Sequence, residues 1–458
     1  MIDSTELTTT ESFWLFCLIL LFLFDLIRLF SSRDPLAPFQ PPAFVIGFLS
    51  YYCLVGPIQR LINNDWVNRL RDFRYAAAHG WAGAVIFYLS FRLGYGIFVG
   101  WFRSQRFTSN SQSVRIGSIG NRLCWIGLIL FSLVYGLRTI ALINPFDTAE
   151  SMFFATTGFN FFGFDNYLAA GINLLIPGVL LIFANWIRQR GNPSTWIFWT
   201  LLSIAIFTSL GFRFRVITLV VPMVMLWFLA QGRRPQLLTI ATTAILLLAF
   251  AGFVGVTRSY GSGLNADNAA GLGFFDFLTE GLGEASIFLT TGAILANTPS
   301  IVPFVGFAPI INTLLFPIPA VLLENKDSAD YLFNSLATLY GSDTLGIGDA
   351  VLNFGEYFMM FGWPSLIVMG LIFGGLFRSL WNWFSIRRDE TLAQVAYVTT
   401  MGLSYIWVSR GYMPQVALTF AFGAFPLFYL YYRYAQPRLP KFLDPALTAH
   451  HQESRGVT

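Results

Sequence analysis

The sequence predicts an all-α fold: a polytopic integral membrane helix bundle of about eleven spans with a large, partly helical loop on its outer face. Three observations carry this. Of the 458 residues, 55% are hydrophobic and only 11% are charged, against about 25% charged in soluble domains. Mean hydropathy is +0.61. Apolar runs near the roughly 20 residues that cross a bilayer recur along the chain. The 49 phenylalanines suit a wide lipid-facing surface.

In chain order, the N-terminus MIDSTELTTTE is acidic and lacks the basic start of a cleaved signal peptide, so 13–30 reads as a retained span. Further spans are expected at 43–61, 81–102, 122–143, 168–187, 195–211, 214–230, 236–256, 357–378, 391–409 and 412–434. The chain then divides into a bundle of about eight spans (1–256), an extracytoplasmic loop or cap (257–356), the C-terminal spans (357–434) and a cytoplasmic tail (435–458). Segment 301–323 is apolar enough to span, but Pro303, Pro309, Pro317 and Pro319 interrupt it. It is expected to pack on the outer end of the bundle or dip into it.

Lys and Arg set the orientation. With the tail inside, 17 of the 28 basic residues fall on the cytoplasmic side, nine outside, and Arg92 and Arg138 within spans. Arg60, Arg69, Arg71 and Arg74 cluster on the outer side against this trend. They mark either an error of topology or an anion-binding surface. Asp25 is a candidate partner for the mid-span Arg92, a pair read as structural. Cys17, Cys53 and Cys124 lie in apolar runs, and His79, His450 and His451 show no ligand spacing. Neither a metal nor another cofactor is expected, and no nucleotide or nucleic-acid motif is present.

The remaining charges carry the chemistry. Ten of the 24 acidic residues lie in 257–356, beside only Arg258 and Lys326 as bases. Glu356 enters the span after GSDTLGIGDAVLNFG and is the first candidate for a proton acceptor, with Glu284 and Asp349 as alternatives. It is equally suited to hold an arginine. Arg213 and Arg215, in GFRFR, flank a helix N-terminus, where free backbone N–H groups and guanidinium forks suit a phosphate. Positions i and i+2 point about 200° apart on a helix. Both face one ligand only if the turn is non-helical, which Gly211 permits. Arg258 and Arg410 close other spans at the same end. The bland alternative is that each arginine snorkels to lipid headgroups.

Three stretches resemble the Wzy-type oligosaccharide repeat-unit polymerases of bacterial surface polysaccharide synthesis. They are GFRFRVITLVVPMVMLWFLAQGRRP, FVGFAPIINTLLFPIPAVLLENKD and SDTLGIGDAVLNFGEYFMMFGWPSLIVMGLIFGGL, within residues of about 200–430. The resemblance implies a glycosyltransferase of the bacterial inner membrane with a periplasmic active site. Its donor and acceptor would be oligosaccharides linked to undecaprenyl pyrophosphate, and a chain-length regulator is a possible partner. Arg213, Arg215, Arg258 and Arg410 would bind the pyrophosphate. O-antigen ligases share this architecture but use a loop histidine, and this chain has none between 80 and 449. A lipid-linked oligosaccharide flippase is the rival from another class, although no internal duplication is visible.

Overall fold

The computed structural model describes residues 7–68, 71–98, 108–109, 116–136, 138–146, 164–189, 192–258, 263–282, 286–318, 322, 331–341 and 350–436. These residues are almost all helical. The first helices are α1 (Thr9–Ser31), α2 (Pro41–Asn63, with a π turn at Tyr51–Val55), α3 (Ala77–Ile97), α4 (Ile116–Tyr135) and α5 (Asp165–Gln189). They are followed by α6 (Ser194–Ser209), α7 (Arg213–Gln231), α8 (Leu237–Thr257), α9 (Phe274–Leu282), α10 (Ser286–Asn297) and α11 (Ala308–Leu315). The last are α12 (Tyr331–Tyr340), α13 (Asn353–Phe361), α14 (Trp363–Ser385), α15 (Thr391–Ser409) and α16 (Met413–Tyr434).

Among the described residues, eight helices are long and apolar enough to cross a membrane: α1, α2, α4, α5, α7, α8, α14 and α16. Segments 81–102 and 391–409 are also full-length helices, with 21 residues in α3 and 19 in α15, but they are more polar. The 195–211 segment has 16 residues in α6. The protein is therefore a multi-pass helical membrane protein, with eight candidate spans among the described residues where the sequence led to about eleven.

Two features of the chain shape the bundle. Glycines let backbones touch. A methyl on Gly94 of α3 would meet the Leu371 carbonyl oxygen of α14 at 2.1 Å, and one on Gly374 would meet that of Phe91 at the same distance. Small residues at a helix contact act this way in membranes, where dispersion between close backbones replaces hydrophobic drive. The second feature is an ion pair between a half-buried arginine and a buried aspartate. Asp25 of α1 meets Arg92 Nε of α3 at 2.7 Å and accepts a hydrogen bond from Tyr88 Oη at 2.6 Å. The pair expected from the sequence is present, and it ties α1 to α3.

Charged and polar contacts sort to two ends. At one end, Tyr51 and Gln59 bond the carbonyls of Gly281 and Thr279, and Arg71 Nη1 donates to Leu339 O at 2.6 Å. At the other, Arg234 bonds the carbonyls of Ser32 and Asp34, and Arg188 that of Asp389. The first end also holds Arg213, Arg258, Arg410 and Glu356. The arginine cluster is partnered within the chain there: Arg60 with Asp65, and Arg74 with both oxygens of Glu11. Arg69 lies outside the described residues.

The described parts of 257–356 pack on the spans. Phe288 of α10 lies over Gly80, and Leu295 and Phe354 lie over Gly83 of α3. Segments α10, α12 and α13 share one apolar core with the spans. Among its described residues, segment 301–323 forms the eight-residue α11, and Val305 N bonds Met359 O at 2.9 Å. Among its described residues it does not cross as a helix. The span expected from 357 begins instead at Trp363. Gly362 adopts φ +74°, ψ −146°, a conformation open essentially to glycine, and separates α13 from α14. The expected boundary at 356/357 thus falls inside α13.

Candidate functional site

The local chemistry of the Gly211 turn decides where two of the candidate arginines go. Helix α6 ends with Gly211 at φ +75°. Gly211 N bonds Thr208 O at 2.8 Å and Phe212 N bonds Phe207 O at 3.1 Å, the paired closure of a helix C-terminus. Helix α7 then starts at Arg213 itself, so Arg213 and Arg215 are both helical and diverge. Arg213 Nη1 donates to Ala251 O of α8 at 2.9 Å and abuts Gly255. Arg258 caps the C-terminus of α8, so these two share one helix end.

Arg215 turns the other way, into a cavity of about 300 Å³. Its guanidinium lies 4.4 Å from the Phe212 ring centroid and 5.6 Å from that of Phe214. Among the described residues no carboxylate pairs with it, and its buried Nε lacks a hydrogen-bond partner. Aromatic faces stabilise a cation here by about 1–2 kcal/mol without neutralising it, so the charge remains available to an anion. Besides Arg215, the polar lining comes from Tyr135, Asn166, Asn173, Tyr412, Gln415 and Thr419. The rest is apolar, with Phe131, Leu210, Phe316 and Leu418 among the walls. Among the described residues, no carboxylate and no lysine lines it.

Arg410 follows the last residue of α15 in the turn Arg410-Gly411-Tyr412. Its N–H closes α15 on Ile406 O at 2.9 Å, and among the described residues its guanidinium makes no hydrogen bond or ion pair. Gly411 N bonds Val351 O at 2.6 Å, and a methyl on Gly411 would press against Glu356 Cβ at 2.9 Å. The turn is thus clamped onto the start of α13, and Tyr412 reaches the Arg215 cavity.

Glu356 does not line that cavity. It is 1% exposed, and its Oε1 accepts hydrogen bonds from Tyr331 Oη and from Met413 N at 2.9 Å. Met413 is the first residue of α16, so a carboxylate from α13 caps the N-terminus of another helix, where backbone donors and the helix dipole favour negative charge. Burial pushes the Glu356 carboxyl up to about 7, against the two hydrogen bonds, which lower it. The Tyr331 ring lies 5.8 Å from that of Tyr412, so the carboxyl reaches the cavity wall through two tyrosines.

Of the acids named from sequence, Glu284 and Asp349 lie outside the described residues. Of the arginines, Arg215 and the Arg410 turn are brought to one cavity, while Arg213 is directed to α8 beside Arg258. Asn173, Gln415, Tyr412 and Tyr331 were missed. Asn173 had a signal, an amide inside the apolar run AAGINLLIPG. Tyr331 had none. Comparison of the chain with family models, with curated proteins and with solved structures gives no match.

Proposed function

We propose that this protein is a glycosyltransferase of the bacterial inner membrane that polymerises oligosaccharide repeat units carried on undecaprenyl pyrophosphate. The observation that carries the reading is Arg215: a cation without a carboxylate partner among the described residues, at the polar part of an otherwise apolar, aromatic-walled cavity. That pairing suits an amphiphile with an anionic head. An acceptor sugar hydroxyl attacks C1 of the donor glycan. The C1–O bond to the pyrophosphate breaks, the electron pair leaves with the lipid pyrophosphate, and the hydroxyl proton passes to a base. Developing charge on the leaving group is what a fixed guanidinium stabilises. Arg215 takes this part, with Arg410 at the adjoining turn. Glu356 is assigned to positioning, because its carboxyl already caps α16 and is nearly sealed from solvent. The sorting of Arg213, Arg258 and Arg410 to one end supports an active site on the periplasmic face.

The test is transfer by the purified protein with a single synthetic undecaprenyl-pyrophosphate repeat unit. A ladder of lipid-linked multiples is expected, lost on Arg215→Ala and on Arg215→Lys, since lysine offers only a point charge. Transfer only to a foreign acceptor would make the protein a ligase. Movement of the intact lipid between leaflets without new glycosidic bonds would make it a flippase. An unaltered ladder from Arg215→Ala would remove the clamp.

A further inference from the structure

We infer that the Arg215 cavity holds a sugar ring next to the anion, and that Asn173 is its specificity-determining residue. This rests on the reading of Arg215 as the anion site. Asn173 is 3% exposed and lines the cavity, yet its Oδ1 has no hydrogen-bond partner. Leaving a buried amide oxygen without a donor is costly. The chain places it in the 3-10 turn Gly171–Leu174 of α5. A methyl on Gly171 there would meet Leu130 Cβ at 2.7 Å, and one on Gly127 would meet the Gly171 carbonyl oxygen at 2.7 Å. That contact fixes the turn and leaves the amide little freedom to find a partner elsewhere.

The groups around it select among ligands. Tyr135, Tyr412, Gln415 and Thr419 each both donate and accept, as do the hydroxyls of a sugar. The two tyrosine rings, with Phe212, offer flat apolar faces for the C–H side of a pyranose. A bare diphosphate needs donors only, and an amide oxygen repels it. A volume of about 300 Å³ is at the lower end of small-ligand pockets: it suits one ring and its phosphate, not an oligosaccharide. Asn173 Oδ1 therefore accepts a hydroxyl of the sugar joined directly to the pyrophosphate, with Arg215 on the phosphate. A site built to bond a hydroxyl discriminates strongly against a ligand that lacks it, because its buried polar group is then left unpaired.

The experiment measures binding of two probes to the full chain in nanodiscs: undecaprenyl pyrophosphate, and the same lipid bearing one N-acetylglucosamine. Wild type is expected to prefer the glycosylated lipid by about tenfold or more. Asn173→Ala should abolish the preference and leave the affinity for undecaprenyl pyrophosphate within about twofold. Gln415→Leu, on a different helix, serves as the second variant if Asn173→Ala does not fold, and should reduce the same preference. A preference retained in both variants overturns the sugar subsite while leaving the anion site standing. Binding of both lipids that is indifferent to Arg215→Ala overturns the anion site and the subsite together. Equal competition by phosphatidylglycerol, whose glycerol hydroxyls sit beside a phosphate, makes the cavity a membrane-lipid site and overturns the proposal.

Discussion

Replacing Glu356 by leucine and by glutamine distinguishes a helix cap from a catalytic base. Leucine removes both acceptors and strands Tyr331 Oη and Met413 N–H, donors that lie against a side chain 1% exposed. Each buried unsatisfied group costs about 1–3 kcal/mol. Tyr331 has further interactions to fall back on, so the expected loss is roughly 2–4 kcal/mol. Glutamine keeps the oxygen that both donors use and should cost less than about 1 kcal/mol. The two variants therefore differ in thermal unfolding of detergent-solubilised protein, with leucine lower by several degrees. The pH dependence adds a sign. Burial raises the folded carboxyl from 4.5 to about 7, so the folded state binds the proton more tightly than the unfolded chain. That stabilisation, about 3 kcal/mol, is fully present below pH 4.5 and is lost as pH rises through about 7. Glutamine has no such slope, so its stability relative to wild type should rise between pH 5 and 8, a window set by those two values. Transfer activity in the glutamine variant should stay within about tenfold, whereas loss of a general base costs about 100-fold or more. A well-folded Glu356→Gln protein with a 100-fold lower rate, or a stability difference flat across that pH range, refutes the cap.

Three further outcomes follow from the fold. Asp25→Asn should destabilise the bundle by about 3 kcal/mol, because Arg92 is then left without its counter-charge; Asp25→Leu combined with Arg92→Met should recover much of the unfolding temperature. Gly374→Val should cost at least about 2 kcal/mol and lower the yield of folded protein, since its Cβ would lie 2.1 Å from the Phe91 carbonyl oxygen, while Gly96→Val, with open space around it, should be far milder. For orientation, Asn268→Cys, exposed beyond the end of α8, should react with an impermeant thiol reagent in intact spheroplasts; labelling only after permeabilisation would reverse the sidedness.

The sequence by itself determined the class of this protein. A bilayer demands long apolar runs wherever the chain crosses it, and that demand is local, so helices occur at every segment expected to span. It also determined the Asp25–Arg92 pair, because charges inside spans must find each other. The break at Gly362 was legible in FGWP, but the apolar run around it dominated the reading and moved the helix start. The divergence of Arg213 and Arg215 required knowing that α7 begins at Arg213. Only the tertiary structure decided that Glu356 caps a helix 57 residues away, and that Asn173, Arg215, Tyr412 and Gln415 surround one cavity. Those side chains come from α5, α7, α16 and the turn before it, and their meeting depends on helix crossings set by glycine contacts. Such crossings bury polar groups together that are far apart in the chain, and no local pattern in a mostly apolar sequence encodes them.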